Sequence, residues 1–152
     1  MSIVERLAEL GITLPEAAAP VAAYKPVIVA GGLAYVSGQL PFIDGALVTG
    51  RLGEDVDVER GYAAARACGL MLIAQIRAAG IALDAVAQVV KLGAFISSSA
   101  DFTDQPRVAN GASELMAEVF GEAGKHARSA VGVPVLPLGA AVEVDGIFAI
   151  RG

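Results

Sequence analysis

One cysteine, one histidine and no tryptophan stand in a chain of 152 residues. A lone cysteine, Cys68, excludes an internal disulfide, and the sequence holds no zinc-ligand spacing. Charge is scarce too. Only 18% of residues are charged, against roughly a quarter in an average globular domain. The 11 Lys and Arg are outnumbered by 16 Asp and Glu, giving a formal net charge of −5. No Lys/Arg cluster occurs, so the basic face of a nucleic-acid binder is missing. Long apolar runs are absent as well. The longest uncharged stretch lies between Lys25 and Asp44. It contains Pro26, Gly31, Gly32, Ser37, Gly38, Gln39 and Pro41, so it reads as two short strands and a turn and not as a membrane span. The opening residues, Met1-Ser2-Ile3-Val4-Glu5-Arg6, show neither the basic start nor the apolar core of a secretory signal. There are no repeats and no low-complexity tract. A reducing cytoplasm is the expected compartment.

What the chain does have is apolar content, 55% of residues, somewhat above the usual level of about half. A chain of this size is expected to form one domain, residues 1–152, and to bury about two-thirds of its unfolded surface. The surplus apolar area points to a subunit interface. Within that domain, residues 1–20 read as a helical extension followed by a loop. Ser2 caps a short helix through Leu10 with Ile3, Leu7 and Leu10 on one face, and Gly11 stops it.

The rest of the pattern is α+β. Residues 27–30 and 33–37 are strands joined by the two-residue turn Gly31-Gly32, and Asp44-Gly45 introduces a further short strand at 46–48. Asp57 opens a helix that ends before Gly80, with Tyr62, Ala65, Gly69, Leu72, Ile73 and Ile76 as its apolar stripe. Residues 86–98 form a long strand. A second helix, capped by Asp104, runs to Phe120. Strands at 129–135 and 141–150 close the chain. One mixed sheet with two main helices on one face follows. Its other face would be bare, rich in Val, Ala and Leu, and suited to symmetric assembly.

Two charges fall in otherwise uncharged strands. Arg128 begins one, and Glu143 sits in the next between Val142 and Val144, its side chain expected on the opposite face from those valines. A guanidinium is a planar, permanent cation whose donors match a carboxylate in pairs. A carboxylate within a strand can orient a water or move a proton. The bare alternative is an Arg–Glu pair at the strand end, because buried charges are usually paired.

The segments Arg128-Ser129, Val131-Gly132-Val133, Leu136-Pro137 and Val142-Glu143-Val144-Asp145 resemble the C-terminal signature of the Rid (reactive intermediate deaminase, YjgF-like) family, often labelled endoribonuclease L-PSP. Tyr35-Val36-Ser37-Gly38-Gln39-Leu40-Pro41, Tyr24 and Asn110 are similar to further positions of that family. The resemblance covers roughly residues 20–150. It implies a chorismate-mutase-like fold and a homotrimer with clefts between subunits. It also implies hydrolysis of 2-imino acids and their enamines, such as 2-aminoacrylate, to a keto acid and ammonia, with no metal or organic cofactor. On this resemblance Arg128 clamps a small-molecule carboxylate, and water is oriented by Glu143 or by backbone groups near Gly38 and Ala130. Tyr24, Ser37, Gly38, Asn110 and Ala130 shape or line the cleft, Tyr24 and Asn110 from different subunits. The alternatives kept are a trimer that binds a carboxylate metabolite without turnover and a ribonuclease, the latter disfavoured by the acidic charge.

The chain departs from the common pattern in its leading helix through Leu10, in the spacing between Asn110 and Arg128, and at two further places. Ala130 stands where many members carry cysteine, which removes thiol chemistry there. His126-Ala127-Arg128 stands where many have Pro-Ala-Arg. His126 itself is expected to be a surface residue at a helix-to-strand junction. Cys68 is expected to be a buried, inert thiol, and Ser97-Ser98-Ser99 a loop without the glycine cradle of a phosphate site.

Overall fold

A computed structural model describes residues 1–20 and 22–152. Helix α1 (Ile3–Glu9) opens with a capping box: the Ser2 hydroxyl accepts from the Glu5 N–H, and the Glu5 carboxylate accepts from the Ser2 N–H. Leu7 is buried. Arg6 donates from Nε to the Glu118 carbonyl at 3.0 Å, which docks the extension onto the body.

Strands β1 (Val27–Ala30) and β2 (Leu33–Gln39) form the expected hairpin. Gly31 and Gly32 turn it with φ of +60° and +76°, the left-handed pair that matches strand twist. Strands β3 (Phe42–Ile43) and β4 (Ala46–Leu47) make a separate hairpin around Asp44-Gly45. The main helix α2 (Val58–Ala78) follows, with the Asp57 carboxylate accepting from the Arg60 N–H. Then come β5 (Val86–Ser97), α3 (Gln105–Phe120), β6 (Ala127–Val133) and β7 (Val142–Ile150). The large sheet runs β1-β2-β7-β5-β6. Only the β5–β6 pair is parallel, as their connection through α3 requires.

The core lies on one side of this sheet. Val36, Val89, Leu92, Ile96, Val144 and Phe148 are buried there against Leu72, Ile73 and Ile76 of α2 and Leu115, Met116 and Val119 of α3. Glycines let the two helices approach closely. A Cβ at Gly111 would fall on the Tyr62 carbonyl, and one at Gly69 would meet the Leu115 side chain at 2.9 Å.

Three expectations need correction. β6 spans Ala127–Val133, two residues earlier at each end than 129–135, because parallel pairing with β5 already begins at Lys91↔Ala127. Asp104 occupies the cap position of α3 without a side-chain cap bond; its carboxylate turns instead to Arg107 at 3.3 Å. The open face is not mainly a Val/Ala/Leu surface, because most of those residues point to the helices. The sheet's outward side carries Ile28, Tyr35, Lys91, Phe95, Val131, Glu143, Asp145 and Ile147. Ile28, Tyr35 and Val131 are 47%, 44% and 46% exposed, so the face is apolar and aromatic with an embedded acidic pair.

Candidate functional site

Arg128 lies on β6 opposite Leu92 of β5, and Leu92 is fully buried on the helix side. Its guanidinium therefore points toward α3. There Nη1 donates to Asn110 Oδ1 at 2.8 Å and to Ser113 Oγ at 3.1 Å. Asn110 and Ser113 are three apart on one helix, so they present their polar atoms on the same face. Both hydrogens of Nη1 are thus engaged. The guanidinium has five N–H donors, and those on Nε and Nη2 make no bond to protein among the described residues. That free edge has the geometry for a bidentate carboxylate.

Ser113 is itself held. Its hydroxyl lies 2.8 Å from His126 Nε2, while His126 Nδ1 lies 2.6 Å from the Gly124 carbonyl. His126 is half-buried with both ring nitrogens in use, so the expectation of a surface histidine is corrected.

Glu143 is on the other side of the sheet. Val142 and Val144 are buried on the helix face, and Glu143 alternates to the open face, as expected from strand geometry. The Arg128–Glu143 pair considered from sequence does not form: the side chains face opposite sides, and Arg128 has no ion pair among the described residues. Pairing of β2 with β7 steps from Val36↔Gly146 to Gln39↔Val144. Ser37 and Gly38 therefore bulge opposite the single residue Asp145. The bulge brings Gly38 under Glu143, whose carboxylate occupies the space that a Cβ at Gly38 would take. Asp145 lies likewise over Gly93. Burial, and then the neighbouring Asp145 charge, raises Glu143 above the usual carboxylate range. Burial raises Asp145 as well, against the opposing pull of the Gly93 backbone and Lys91.

Tyr24, Ser37, Gly38 and Glu143 line one cavity of about 540 Å³. Its floor is an amide chain. Gln75 donates to Gln39 Oε1 at 3.1 Å and to the Ala18 carbonyl at 2.8 Å, and Gln39 donates to the Ser37 carbonyl at 2.9 Å. Pro26, Leu40, Phe42 and Pro137 add apolar walls. Pro137 belongs to a turn in which Leu138 holds φ +59°, a strained setting for a bulky residue.

The site residues expected from sequence thus fall into two groups. Tyr24, Ser37, Gly38 and Glu143 come together. Arg128 and Asn110 come together elsewhere, and neither lines the cavity. Ala130 follows Arg128 on the helix side of β6, packed against the core. Ser113 and Gln75 are not marked by the sequence reading, and Gln39 enters it only as part of the Tyr35–Pro41 motif. The i, i+3 spacing of Asn110 and Ser113 is the one signal that marks Ser113. Cys68 is fully buried, and burial pushes its thiol well up, in keeping with an inert role. No helix among the described residues is long and apolar enough to cross a membrane.

Residues 4–149 match a family model described as "YjgF/chorismate_mutase-like, putative endoribonuclease". The chain is 52% identical to the Trypanosoma cruzi protein TCP17 over 151 residues, covering 98% of this chain and 94% of that one. It is similar to the crystal structure of Atu1372 from Agrobacterium tumefaciens, a protein of unknown function, with 47% identity, a TM-score of 0.90, and coverage of 98% and 92%. It is also similar to RidA from the Antarctic bacterium Psychrobacter sp. PAMC 21119, with 29% identity, a TM-score of 0.61, and coverage of 89% of this chain and 94% of that one. With the family model matched over residues 4–149 and a relative 52% identical over 98% of the chain, the chain belongs to the YjgF/chorismate-mutase-like family.

Proposed function

We propose that this protein hydrolyses small 2-imino acids, and the enamines from which they form, to keto acids and ammonia. The observation that carries the reading is Arg128: Asn110 and Ser113 hold one side of its guanidinium, and the Nε/Nη2 edge is left for a carboxylate. Because the Arg128 group and the Glu143 cavity are separate within one chain, the working site is composed between copies. One copy supplies Arg128 and Asn110. The next supplies Tyr24, Ser37, Gly38 and Glu143. A homotrimer with three such clefts is the assembly proposed, with the open sheet face as its inner surface.

In this site the carboxylate of the 2-imino acid docks on Arg128, which fixes the imine carbon. The enamine tautomer first gains a proton on carbon and becomes the imine. Water, held by Glu143, adds its oxygen to the imine carbon as the C=N π pair moves to nitrogen. Glu143 takes the proton that water loses. Glu143 returns that proton to nitrogen to give the carbinolamine, whose hydroxyl passes its own proton by way of Glu143 to the nitrogen; the C–N bond breaks, ammonia leaves, and the hydroxyl oxygen becomes the keto oxygen. An imine hydrolyses readily, so positioning and modest electrostatic help suffice. A carboxyl raised above its ordinary range by burial holds a proton more readily than a free one, which suits the proton transfers. Ala130 offers only backbone groups to this chemistry.

A binding-only reading draws support from one feature. Among the described residues Glu143 is the one carboxylate that lines the cavity, which suits binding as well as turnover. The deciding experiment couples an L-amino-acid oxidase to the protein and follows the generated imines across a panel of amino acids. Faster ammonia release than in the oxidase-only control supports the deaminase. Saturable keto-acid binding without faster release supports the binding module. Salt-dependent RNA binding would favour the ribonuclease.

A further inference from the structure

We propose that His126, acting through Ser113, is a positioning residue that locks the Arg128 guanidinium in the orientation that receives a carboxylate. This rests on the reading of Arg128 as the carboxylate clamp. The Gly124 carbonyl can only accept, so the 2.6 Å contact from His126 Nδ1 requires the hydrogen on Nδ1. In a neutral ring Nε2 is then bare, and the 2.8 Å contact with Ser113 requires the hydroxyl to donate. With its only hydrogen committed, Ser113 Oγ presents lone pairs to Arg128, which donates from Nη1 at 3.1 Å. The chain has one direction: Arg128 to Ser113, Ser113 to His126, His126 to Gly124.

The consequence is steric control of a side chain with many rotamers. Asn110 alone would hold one Nη1 hydrogen and leave the guanidinium free to swing about that bond. Ser113 holds the second hydrogen and fixes the plane. Ser113 can do this only while its own hydrogen is directed at His126, because a freely rotating hydroxyl would turn that hydrogen toward the cation for part of the time. His126 in turn is fixed by the backbone of the short helical turn Gly121–Gly124, which ends α3. The guanidinium is thus anchored to the same helix from both its Asn110 side and its C-terminal turn.

His126 is the only histidine, so its ring ¹⁵N signals are unambiguous in labelled protein. The expected result in the free wild-type protein is the Nδ1–H tautomer, the opposite of the form favoured by neutral histidine in water, together with resolved, slowly exchanging Nη signals for Arg128. Ser113→Ala and His126→Phe should collapse the Nη signals, and Ser113→Thr should keep them. Titration with 2-oxobutanoate, a non-reacting keto acid, gives the functional readout. Ser113→Ala and His126→Phe should each weaken binding roughly tenfold, the scale of one hydrogen bond to a charged group, with Ser113→Thr close to wild type. An Nε2–H tautomer in the wild type, or Nη signals and affinity unchanged in both Ser113→Ala and His126→Phe, overturns the proposal. A different result sinks the clamp reading: 2-oxobutanoate binding that Arg128→Ala leaves intact, or no binding by wild type. The ring tautomer and the Nη signals then still decide whether the relay holds the guanidinium.

Discussion

Arg128 is the residue on which the functional reading turns, and its partners make the expectation specific. Arg128→Ala removes the whole fork while leaving a half-buried edge-strand position that alanine tolerates. A bidentate carboxylate contact involves two charge-assisted hydrogen bonds, each worth about 1.5–3 kcal/mol, so activity or ligand binding should fall by at least two orders of magnitude. Arg128→Lys should recover little, since an ammonium cannot reach Asn110 and Ser113 and still present a flat pair of donors. Steady-state kinetics in the coupled assay measure both. Full turnover by Arg128→Ala would remove the main support of the reading.

Glu143 belongs to the same scale and carries a pH signature. Its folded-state affinity for a proton is raised above the ordinary value of 4.5, by burial first and Asp145 second. Between the ordinary and the raised value, the folded chain binds more protons than the unfolded chain, so this group's contribution to stability falls as pH rises through that window. Asp145 acts in the same sense from its ordinary 3.8. Glu143→Gln keeps the shape and deletes the charge. Thermal melts should therefore show the variant as stable as wild type or more so at pH 7, with the difference fading below about pH 4. A water-orienting role adds a large loss of kcat in the same variant. A structural ion pair would give the reverse, a lower Tm at pH 7 with near-normal kcat.

At the scale of elements, the contact between α2 and α3 is set by glycine. Backbone meets backbone where Gly111 faces the Tyr62 carbonyl, so Gly111→Ala must push the helices apart or bend one of them. Overpacking of this kind costs typically 1–3 kcal/mol, and in a domain of about 150 residues each kcal/mol lowers Tm by roughly 2–4 °C. A melt unchanged from wild type would show that the helix pair has slack to give. Glycine spacing of this sort is visible in sequence only as a gap in an apolar stripe, as Gly69 is in α2. The elements that carried local signals were legible: the Ser2 capping box, the Gly31-Gly32 and Asp44-Gly45 turns, and Asp57 opening α2. Those that depend on distant partners were not. The start of β6 is set by its pairing with β5. The bulge at Ser37-Gly38 is set by register with β7. The separation of Arg128 from Glu143 follows from which face each strand residue takes, and a motif that lists both in order cannot show that they diverge. Ser113 and His126 form a pair only because α3 folds back beside β6.

The whole molecule is left with an exposed sheet face and a divided site, and one assembly addresses both. In the proposed trimer, three copies close around the face that carries Ile28, Tyr35, Phe95 and Val131, which buries its aromatic and apolar surface, and the Arg128 edge of one copy is proposed to meet the Glu143 cavity of the next. Sedimentation should then give about three times the 15.4 kDa of one chain, a ratio set by closed cyclic symmetry. A stable monomer at micromolar concentration would remove the shared cleft. The sharper test mixes two inactive variants. Arg128→Ala and Glu143→Gln chains, denatured together and refolded in equal amounts, assort at random among trimers. A cleft works when its arginine comes from a Glu143→Gln copy and its glutamate from an Arg128→Ala copy, so about a quarter of clefts in a cyclic trimer should be intact. Ammonia release should rise to about a quarter of the wild-type rate on mixing, while each variant refolded alone stays inactive. A site built within one chain predicts no recovery at any ratio, because every chain in the mixture then carries a damaged site.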